Sequence, residues 1–133
     1  MREIVLETER KTQLIEITDR IREALADANG ASAALVYVPH TTAGVAINER
    51  IDPELVADLE NAFERVVGDD WDWKHEDEDG PNAPSHARAS LASSPQVLIP
   101  LSDGSLALGT YQGVFFCEFD GPRTRKIYVT TLT

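Results

Sequence analysis

Hydrophobic runs with β character recur along this chain of 133 residues, and a few segments with helical periodicity separate them. The runs are rich in Val, Ile, Leu and Phe, residues that suit strands. They lie at residues 3–8, 13–17, 33–38, 44–48, 96–101, 105–118 and 125–132. Because helices do not follow the strands in strict alternation, we expect an α+β fold with a mixed or antiparallel β-sheet packed with two or three helices. The length fits a single compact domain over residues 1–133.

Three segments predict helices. Thr18 is a candidate N-cap, and apolar residues follow it at helical spacing until Gly30. Asp52 followed by Pro53 places a side-chain acceptor at a cap and a proline in the first turn, which predicts the start of a second helix. Residues 86–92 predict a third, shorter helix.

The charge balance excludes one large class of function. The chain carries 23 acidic and 12 basic residues, a formal net charge of −11, whereas binding to a nucleic-acid backbone needs clustered Lys and Arg. Much of the acid lies in residues 69–79, which we interpret as a solvated loop. An acidic, Lys-poor surface suits work in high salt. Preference for Arg codons in a GC-rich genome is an equally good explanation.

Signals for location are sparse. No apolar run approaches the ~20 residues of a membrane helix, and the first residues contain no apolar signal core. The single cysteine, Cys117, cannot form an internal disulfide, and its apolar neighbours in VFFCEF favour a place in the core over a nucleophilic role. We therefore expect a cytoplasmic protein with neither a nucleic-acid nor a membrane partner.

All three histidines, His40, His75 and His86, lie in polar segments, and none lies on an apolar helix face. Their spacing fits no short metal motif. Three loop histidines can still converge on one ion, since imidazole is a common zinc ligand and catalytic zinc takes three protein ligands and a water. The alternative, which composition alone favours, is three unconnected histidines.

The segment HTTAG, which begins at His40, carries two hydroxyls and a glycine at the end of a predicted strand. Backbone N–H groups in such a turn are able to approach an anion, and a plain turn with threonine caps explains the pattern equally well. Glu49, further along, is a candidate acid/base or metal partner, or else a solvated carboxylate.

Two arginines, Arg123 and Arg125, lie at the start of the last predicted strand. A guanidinium suits bidentate contact with phosphate or carboxylate. Pairing with Glu118 or Asp120 across the hairpin is the simpler alternative.

A polar trio interrupts the apolar run within LGTYQG. Either Gly109 marks a bulge, or Thr110 and Gln112 line a pocket.

As an ordered set, these segments resemble the signatures of the YjbQ-like family of small bacterial and archaeal proteins. Two departures stand out: residues 92–95 read ASSP where the family usually has a glycine, and Tyr111 stands where the family pattern LGTWQ has Trp. The resemblance covers nearly the whole chain, in the segments HTTAGVAINE with Asp52-Pro53, His75-Glu76, NAPSHARASL, LALGTYQG and EFDGPRTRK.

The resemblance implies a compact α+β fold assembled as a homotrimer, with the signature polar residues gathered in a cleft near a subunit boundary. The implied catalytic residues are His40, Glu49, His75 and His86. The implied substrate-binding residues are Thr41, Thr42, Asn48, Asn82, Thr110, Gln112 and Arg123. A metal ion bound there would take His40, His75 and His86 as ligands.

The family is associated with a secondary thiamine-phosphate synthase activity, a transferase reaction. By resemblance, the chain would join an aminopyrimidine diphosphate to a thiazole phosphate and release pyrophosphate. The implied ligand is a small phosphorylated metabolite, with a divalent metal (Mg or Zn) allowed and no organic cofactor. Two alternatives stay open: a zinc-dependent hydrolase that uses the three histidines with Glu49, and a non-catalytic trimeric binding protein.

Overall fold

Eight strands and three helices make up the described part of the chain, residues 1–76 and 80–133 of a computed structural model. Residues 77–79 of the acidic segment lie outside the described residues. The strands are β1 (Arg2–Glu7), β2 (Gln13–Glu16), β3 (Ala33–Tyr37), β4 (Ala43–Glu49), β5 (Gln96–Ser102), β6 (Ser105–Leu106), β7 (Gln112–Glu118) and β8 (Thr124–Leu132). The helices are α1 (Thr18–Ala24), α2 (Pro53–Glu64) and α3 (Ala83–Ala92).

The strands form two antiparallel sheets. The larger has the order β1-β8-β3-β5-β6, and the smaller has the order β2-β7-β4. A pair of hydrogen bonds between Val45 and Ser94, at 2.8 and 3.0 Å, joins β4 to the segment that leads into β5. The prediction of an α+β fold with an antiparallel sheet and three helices is therefore confirmed.

Strand β7 is buried on both faces and separates two hydrophobic clusters. Val114 and Phe116 face the larger cluster, which fills the space between the sheets and the apolar side of α1. Phe115 and Cys117 face the smaller cluster, which α2 and α3 cover. Full burial of a large apolar side chain contributes roughly 1.5–3 kcal/mol, so this strand is the centre of the fold.

The close approach of two segments explains the glycine in HTTAG. A Cβ at Gly44 would clash with the side chain of Ser93 and the carbonyl of Ser94. The departure ASSP lies at this contact, so its serines pack directly on the backbone of β4. The glycine is required here by packing.

Three sequence predictions need correction. Thr18 is not an N-cap, because its hydroxyl accepts a hydrogen bond from the Val114 N–H (2.9 Å) and so ties α1 to β7. Helix α1 ends at Ala24, before the expected glycine. The long run 105–118 is two strands, because a turn over Gly109 interrupts it.

The start of α2 is as predicted. Asp52 Oδ1 accepts a hydrogen bond from the Glu54 N–H (2.9 Å), and Pro53 occupies the first turn. Helix α3 begins three residues earlier than expected, at Ala83. No helix in the described residues is long and apolar enough to cross a membrane.

Candidate functional site

An open cleft of about 750 Å³ lies where the end of β3, the start of β4, the first turn of α3 and the start of β8 meet. All three histidines lie on its wall. His40 and His86 also line a smaller cavity of about 330 Å³. The lining is Tyr37, Val38, Pro39, His40, Thr41, Thr42, His75, Asn82, His86, Pro95, Asp120, Arg123 and Arg125. Folding thus brings most of the predicted site residues together.

His40 is held in one tautomer by the backbone. Its Nε2 accepts a hydrogen bond from the Lys126 N–H at 2.9 Å, so the hydrogen-bond network assigns the ring proton of neutral His40 to Nδ1. Burial lowers the pKa of His40, and the charge of Arg125 lowers it further. Near neutral pH the ring is therefore a hydrogen-bond donor through Nδ1–H, and it is a poor base while the Lys126 contact lasts.

His75 and His86 form a second group on the wall. Their ring centroids lie 5.1 Å apart, and the rings are nearly perpendicular at 88°, an edge-to-face arrangement that aromatic rings favour. Helix α3 carries His86, and the buried Ser85 fixes this helix by donating a hydrogen bond to the Phe119 carbonyl (2.6 Å). One imidazole of the pair is therefore anchored on a helix, and the other lies on an exposed loop.

Asp120 connects the two sides of the cleft. Its Oδ2 accepts hydrogen bonds from Arg123 Nη2 (2.8 Å) and from Asn82 Nδ2 (3.3 Å), and its carbonyl accepts a bond from Arg123 Nε (2.8 Å). The pairing of Arg123 with Asp120 that the sequence allowed is thus present. Arg123 keeps about a third of its side chain exposed, at 36%, and lines the cleft.

Arg125 forms a buried ion pair with Glu118 at the floor of the cleft. Arg125 is 5% exposed and Glu118 is fully buried. Arg125 Nε donates to Glu118 Oε1 at 2.8 Å, and Nη2 donates to Oε2 and to Thr42 Oγ1. Glu118 also accepts hydrogen bonds from the Thr8 hydroxyl (2.8 Å) and the Asp120 N–H (3.0 Å). This network links β7 to β8, and the hydrogen bond from Arg125 also fixes the side chain of Thr42.

The remaining predicted residues lie at the other end of β4. Glu49 pairs with Gln112 across the sheet, and seven residues of strand span about 20 Å, so this end is remote from the histidines within one chain. Asn48 Oδ1 accepts from the Glu49 N–H (2.8 Å). The expected single site is therefore divided in one chain, and a shared site would need a second subunit.

The polar trio of LGTYQG closes a turn. Gln112 Oε1 accepts a hydrogen bond from the Gly109 N–H at 2.8 Å, and Thr110 lies exposed between them. The chain therefore turns before β7 begins, and neither Thr110 nor Gln112 is among the residues that line the histidine cleft of one chain.

The three histidines do not form a metal site as placed. Among the described residues, no group of three His, Cys, Asp or Glu side chains could hold a metal ion. The lone pair of His40 Nε2 is used by the Lys126 N–H, whereas a ligating imidazole needs its lone pair for the metal. The predicted set of three histidine ligands is therefore not assembled in the described residues of one chain. His75 and His86 lie together, whereas His40 is held separately by its hydrogen bond with Lys126.

Sequence reasoning gave too little weight to Arg125 and did not assign Glu118 or Asp120 to the site. A signal for Arg125 was available: in RKIYVTTL it shares the alternation of Ile127 and Val129, which face the core. The same alternation places Glu118 with Val114 and Phe116. Charged residues at core positions at the ends of two strands predict a buried pair.

The fold and the cleft define a small two-sheet α+β protein with a polar site lined by histidines and arginines. The chain belongs to the family described as UPF0047 protein YjbQ-like, whose model matches residues 2–133.

Relatives of this family extend over nearly the whole chain. A UPF0047 protein of Methanocaldococcus jannaschii is 38% identical over 93% of this chain and 88% of its own length. YugU of Bacillus subtilis is 38% identical over 97% and 96%. A crystal structure of a YjbQ/UPF0047 family protein from Clostridium acetobutylicum is 38% identical, covers 99% of this chain and 100% of that chain, and superposes with a TM-score of 0.87.

Proposed function

We propose that the chain is a transferase that joins an aminopyrimidine diphosphate to a thiazole phosphate in the histidine cleft and releases pyrophosphate. The family resemblance supplies the reaction. The observation that carries the proposal is the composition of the cleft wall, which gathers hydrogen-bond donors and two arginines in about 750 Å³. A phosphorylated small molecule of two rings fits such a polar cleft better than an apolar ligand does.

The chemistry of this reaction determines which groups the protein must supply. The thiazole nitrogen attacks the methylene carbon that carries the diphosphate, so a C–N bond forms while the C–O bond breaks. The electron pair of the broken bond goes to the diphosphate oxygen, and the thiazole nitrogen becomes cationic without losing a proton. The transition state therefore needs donors at the leaving oxygens and needs no general base at the nucleophile.

The cleft residues include hydrogen-bond donors that could contact the leaving oxygens. His40 offers a fixed Nδ1–H, Thr41 offers an exposed hydroxyl, and Arg123 adds a guanidinium. His86, on its anchored helix, is the group that we assign to proton donation toward the diphosphate, with His75 beside it. A divalent ion that enters with the diphosphate is compatible with this arrangement, since magnesium is usually bound through phosphates and few protein ligands.

A non-catalytic binding protein is the second candidate. The fixed tautomer of His40 favours it, because a group locked as a donor can hold an anion without moving a proton. The zinc-dependent hydrolase is less well supported, because the described histidines do not gather as a ligand set of three.

We also propose that the chain works in the cytoplasm as a homotrimer. The outer face of the larger sheet supports self-association, because Val5, Tyr37 and Leu98 are 48%, 41% and 59% exposed there. Light scattering coupled to size-exclusion chromatography tests it: a mass of three 14.6 kDa chains is expected, and a monomer at micromolar concentration contradicts it.

The synthase proposal is tested by incubating purified protein with both precursors, in Mg²⁺ and in EDTA, and measuring thiamine phosphate by mass spectrometry. We expect product and pyrophosphate in equal amounts, formed slowly. His86→Ala and Arg123→Ala should abolish turnover and leave the melting temperature nearly unchanged. Arg22→Ala is the matched control, because Arg22 also pairs with an aspartate three residues away but lies outside the cleft.

Two results would redirect the assignment. Absence of product above a boiled-protein blank at high protein concentration removes the synthase activity. If pyrophosphate then still raises the melting temperature in proportion to its concentration, the binding protein is the better description.

A further inference from the structure

We propose that Arg125, held in place by Glu118, is the residue at the floor of the cleft that binds the phosphoryl group of the ligand. The inference rests on the proposed function and deepens it, because it names the cation that receives the diphosphate. It differs from the sequence-based assignment, which gave this role to Arg123.

The geometry of Arg125 is that of a buried receptor. Its side chain is 5% exposed and yet lines the cleft. Nε and Nη2 account for all of its hydrogen bonds to the described residues, with Glu118 and Thr42 as partners. Nη1 takes no part in them, so one NH₂ group of a rigidly held guanidinium is left for a ligand.

Glu118 positions the cation without reaching the ligand. Arg125 and Thr42 line the cleft, whereas Glu118 does not. The carboxylate is fully buried and also accepts hydrogen bonds from Thr8 and Asp120, so its charge is shared among several donors. An anion entering the cleft therefore meets the guanidinium first, with the carboxylate behind it.

A second anchored donor lies on the same wall. His40 receives the N–H of Lys126, the residue after Arg125, so strand β8 fixes both groups. Burial lowers the pKa of His40 most, and Arg125 lowers it more than Glu118 raises it. The cationic end of the pair thus dominates the potential at the ring, although the whole chain carries a net charge of −11.

The expected ligand group is a terminal phosphoryl group. Its several oxygens can accept from a guanidinium and from an imidazole N–H together, and phosphate is a preferred partner of a fixed arginine. A carboxylate offers fewer oxygens to the same wall. Pyrophosphate should therefore bind more tightly than phosphate, and acetate should bind most weakly.

The experiment measures binding without turnover, so its result does not depend on the synthase reaction. Pyrophosphate, phosphate and acetate are titrated by calorimetry into the wild-type chain, Arg125→Lys and Arg88→Lys. Arg88 is the matched control, because it is equally buried, at 2% exposed, but lies outside the cleft. We expect pyrophosphate affinity to fall at least about tenfold in Arg125→Lys, a loss of about 1.4 kcal/mol, and to stay within about twofold in Arg88→Lys.

A measurement on the unaltered chain keeps the test valid if a variant does not fold. Pyrophosphate should move the Nε–Hε resonance of Arg125 in a nitrogen–proton spectrum and leave that of Arg88 in place. Movement of the Arg123 resonance alone, or equal affinity of Arg125→Lys and the wild type, would overturn the inference. If pyrophosphate binds at Arg125 but no product forms, the synthase proposal fails and this inference stands.

Discussion

Arg88 and Arg125 are both buried arginines, but their surroundings differ. Arg88 lies among groups that hold the fold together, whereas Arg125 lies on the wall of the cleft. Arg88, on α3, donates from Nε and Nη2 to the Glu64 carbonyl, from Nη2 to the Val67 carbonyl and from Nη1 to Asp69. All three of its nitrogens are therefore occupied. Arg125 leaves Nη1 without such a partner in the described residues and lies on the cleft wall.

The comparison shows why burial alone does not indicate a role for a charged side chain. Arg88 satisfies the Glu64 carbonyl at the carboxyl end of α2, which otherwise has no helical partner, and the Val67 carbonyl beyond the helix. It is a cap supplied by a neighbouring helix. The charge of Arg125 is neutralised by Glu118, which does not line the cleft, and Arg125 Nη1 donates no hydrogen bond to the described residues. The number of donors already used decides between the two roles.

The largest effect is expected from Arg88→Met, which keeps the apolar stem and removes the donors. The buried contact with the Val67 carbonyl and the part-buried contacts with the Glu64 carbonyl are lost, so the free energy of unfolding should fall by about 3 kcal/mol. Urea denaturation followed by circular dichroism measures the change. Pyrophosphate affinity of the folded protein should be unchanged. A loss of affinity without a loss of stability would reverse the contrast between the two arginines.

A smaller effect is expected at the other end of α2. Asp52→Ala removes the acceptor for the Glu54 N–H, and loss of such a cap costs about 1 kcal/mol. Asp58→Ala is the control, because Asp58 is an exposed acid in the middle of the same helix. If Asp52→Ala costs as much as Arg88→Met, the arginine is no stronger a cap than an ordinary one.

His40 should make the stability of the chain depend on pH, because burial and, after it, the charge of Arg125 lower its pKa. Because the pKa of His40 is lowered on folding, the unfolded chain binds more protons below its unfolded pKa of about 6.5, and stability must fall as the pH falls through that window. His40→Gln keeps an acceptor for the Lys126 N–H but does not titrate. Denaturation from about pH 7 to about pH 5 should give the variant a shallower decline. Equal slopes would show that folding does not lower the pKa of His40, whether through burial or through the charge of Arg125.

The smallest effect sets the baseline for an exposed arginine. Arg22 pairs with Asp19 at 2.9 Å, with both side chains largely in solvent. Surface pairs of this kind contribute about 0.3–0.5 kcal/mol, so Arg22→Ala should change the free energy of unfolding by no more than that. A loss above about 1 kcal/mol would mean that burial is not what makes Arg88 expensive to remove.

Local signals predicted the parts of the fold that depend on neighbours in sequence. The cap at Asp52 is one example, since donor and acceptor lie two residues apart. The strands and the fold class followed from the hydrophobic runs. Thr18 shows where such reasoning ends, because its hydroxyl binds the Val114 N–H, 96 residues away.

The cleft contains several of the residues that the sequence analysis grouped as a candidate site, and others lie elsewhere in the fold. The histidines, HTTAG and Arg123 meet in one cleft because β3, β4, α3 and β8 end there. Glu49 and Gln112 were grouped with them because each lies in a segment that resembles a family signature. A strand carries residues at its two ends about 20 Å apart, and only the fold reveals which end faces the histidines.

The double burial of β7 has a consequence for how this cleft can change over evolution. The floor is built on Glu118, the last residue of that strand, so it belongs to the part of the molecule that opens last. The rim, with His75 and Pro95, lies outside regular structure and is free to vary. If Arg125 binds the anionic portion of the ligand as proposed, changes at the rim would alter recognition of the organic portion, whereas the core would keep the anionic portion in place.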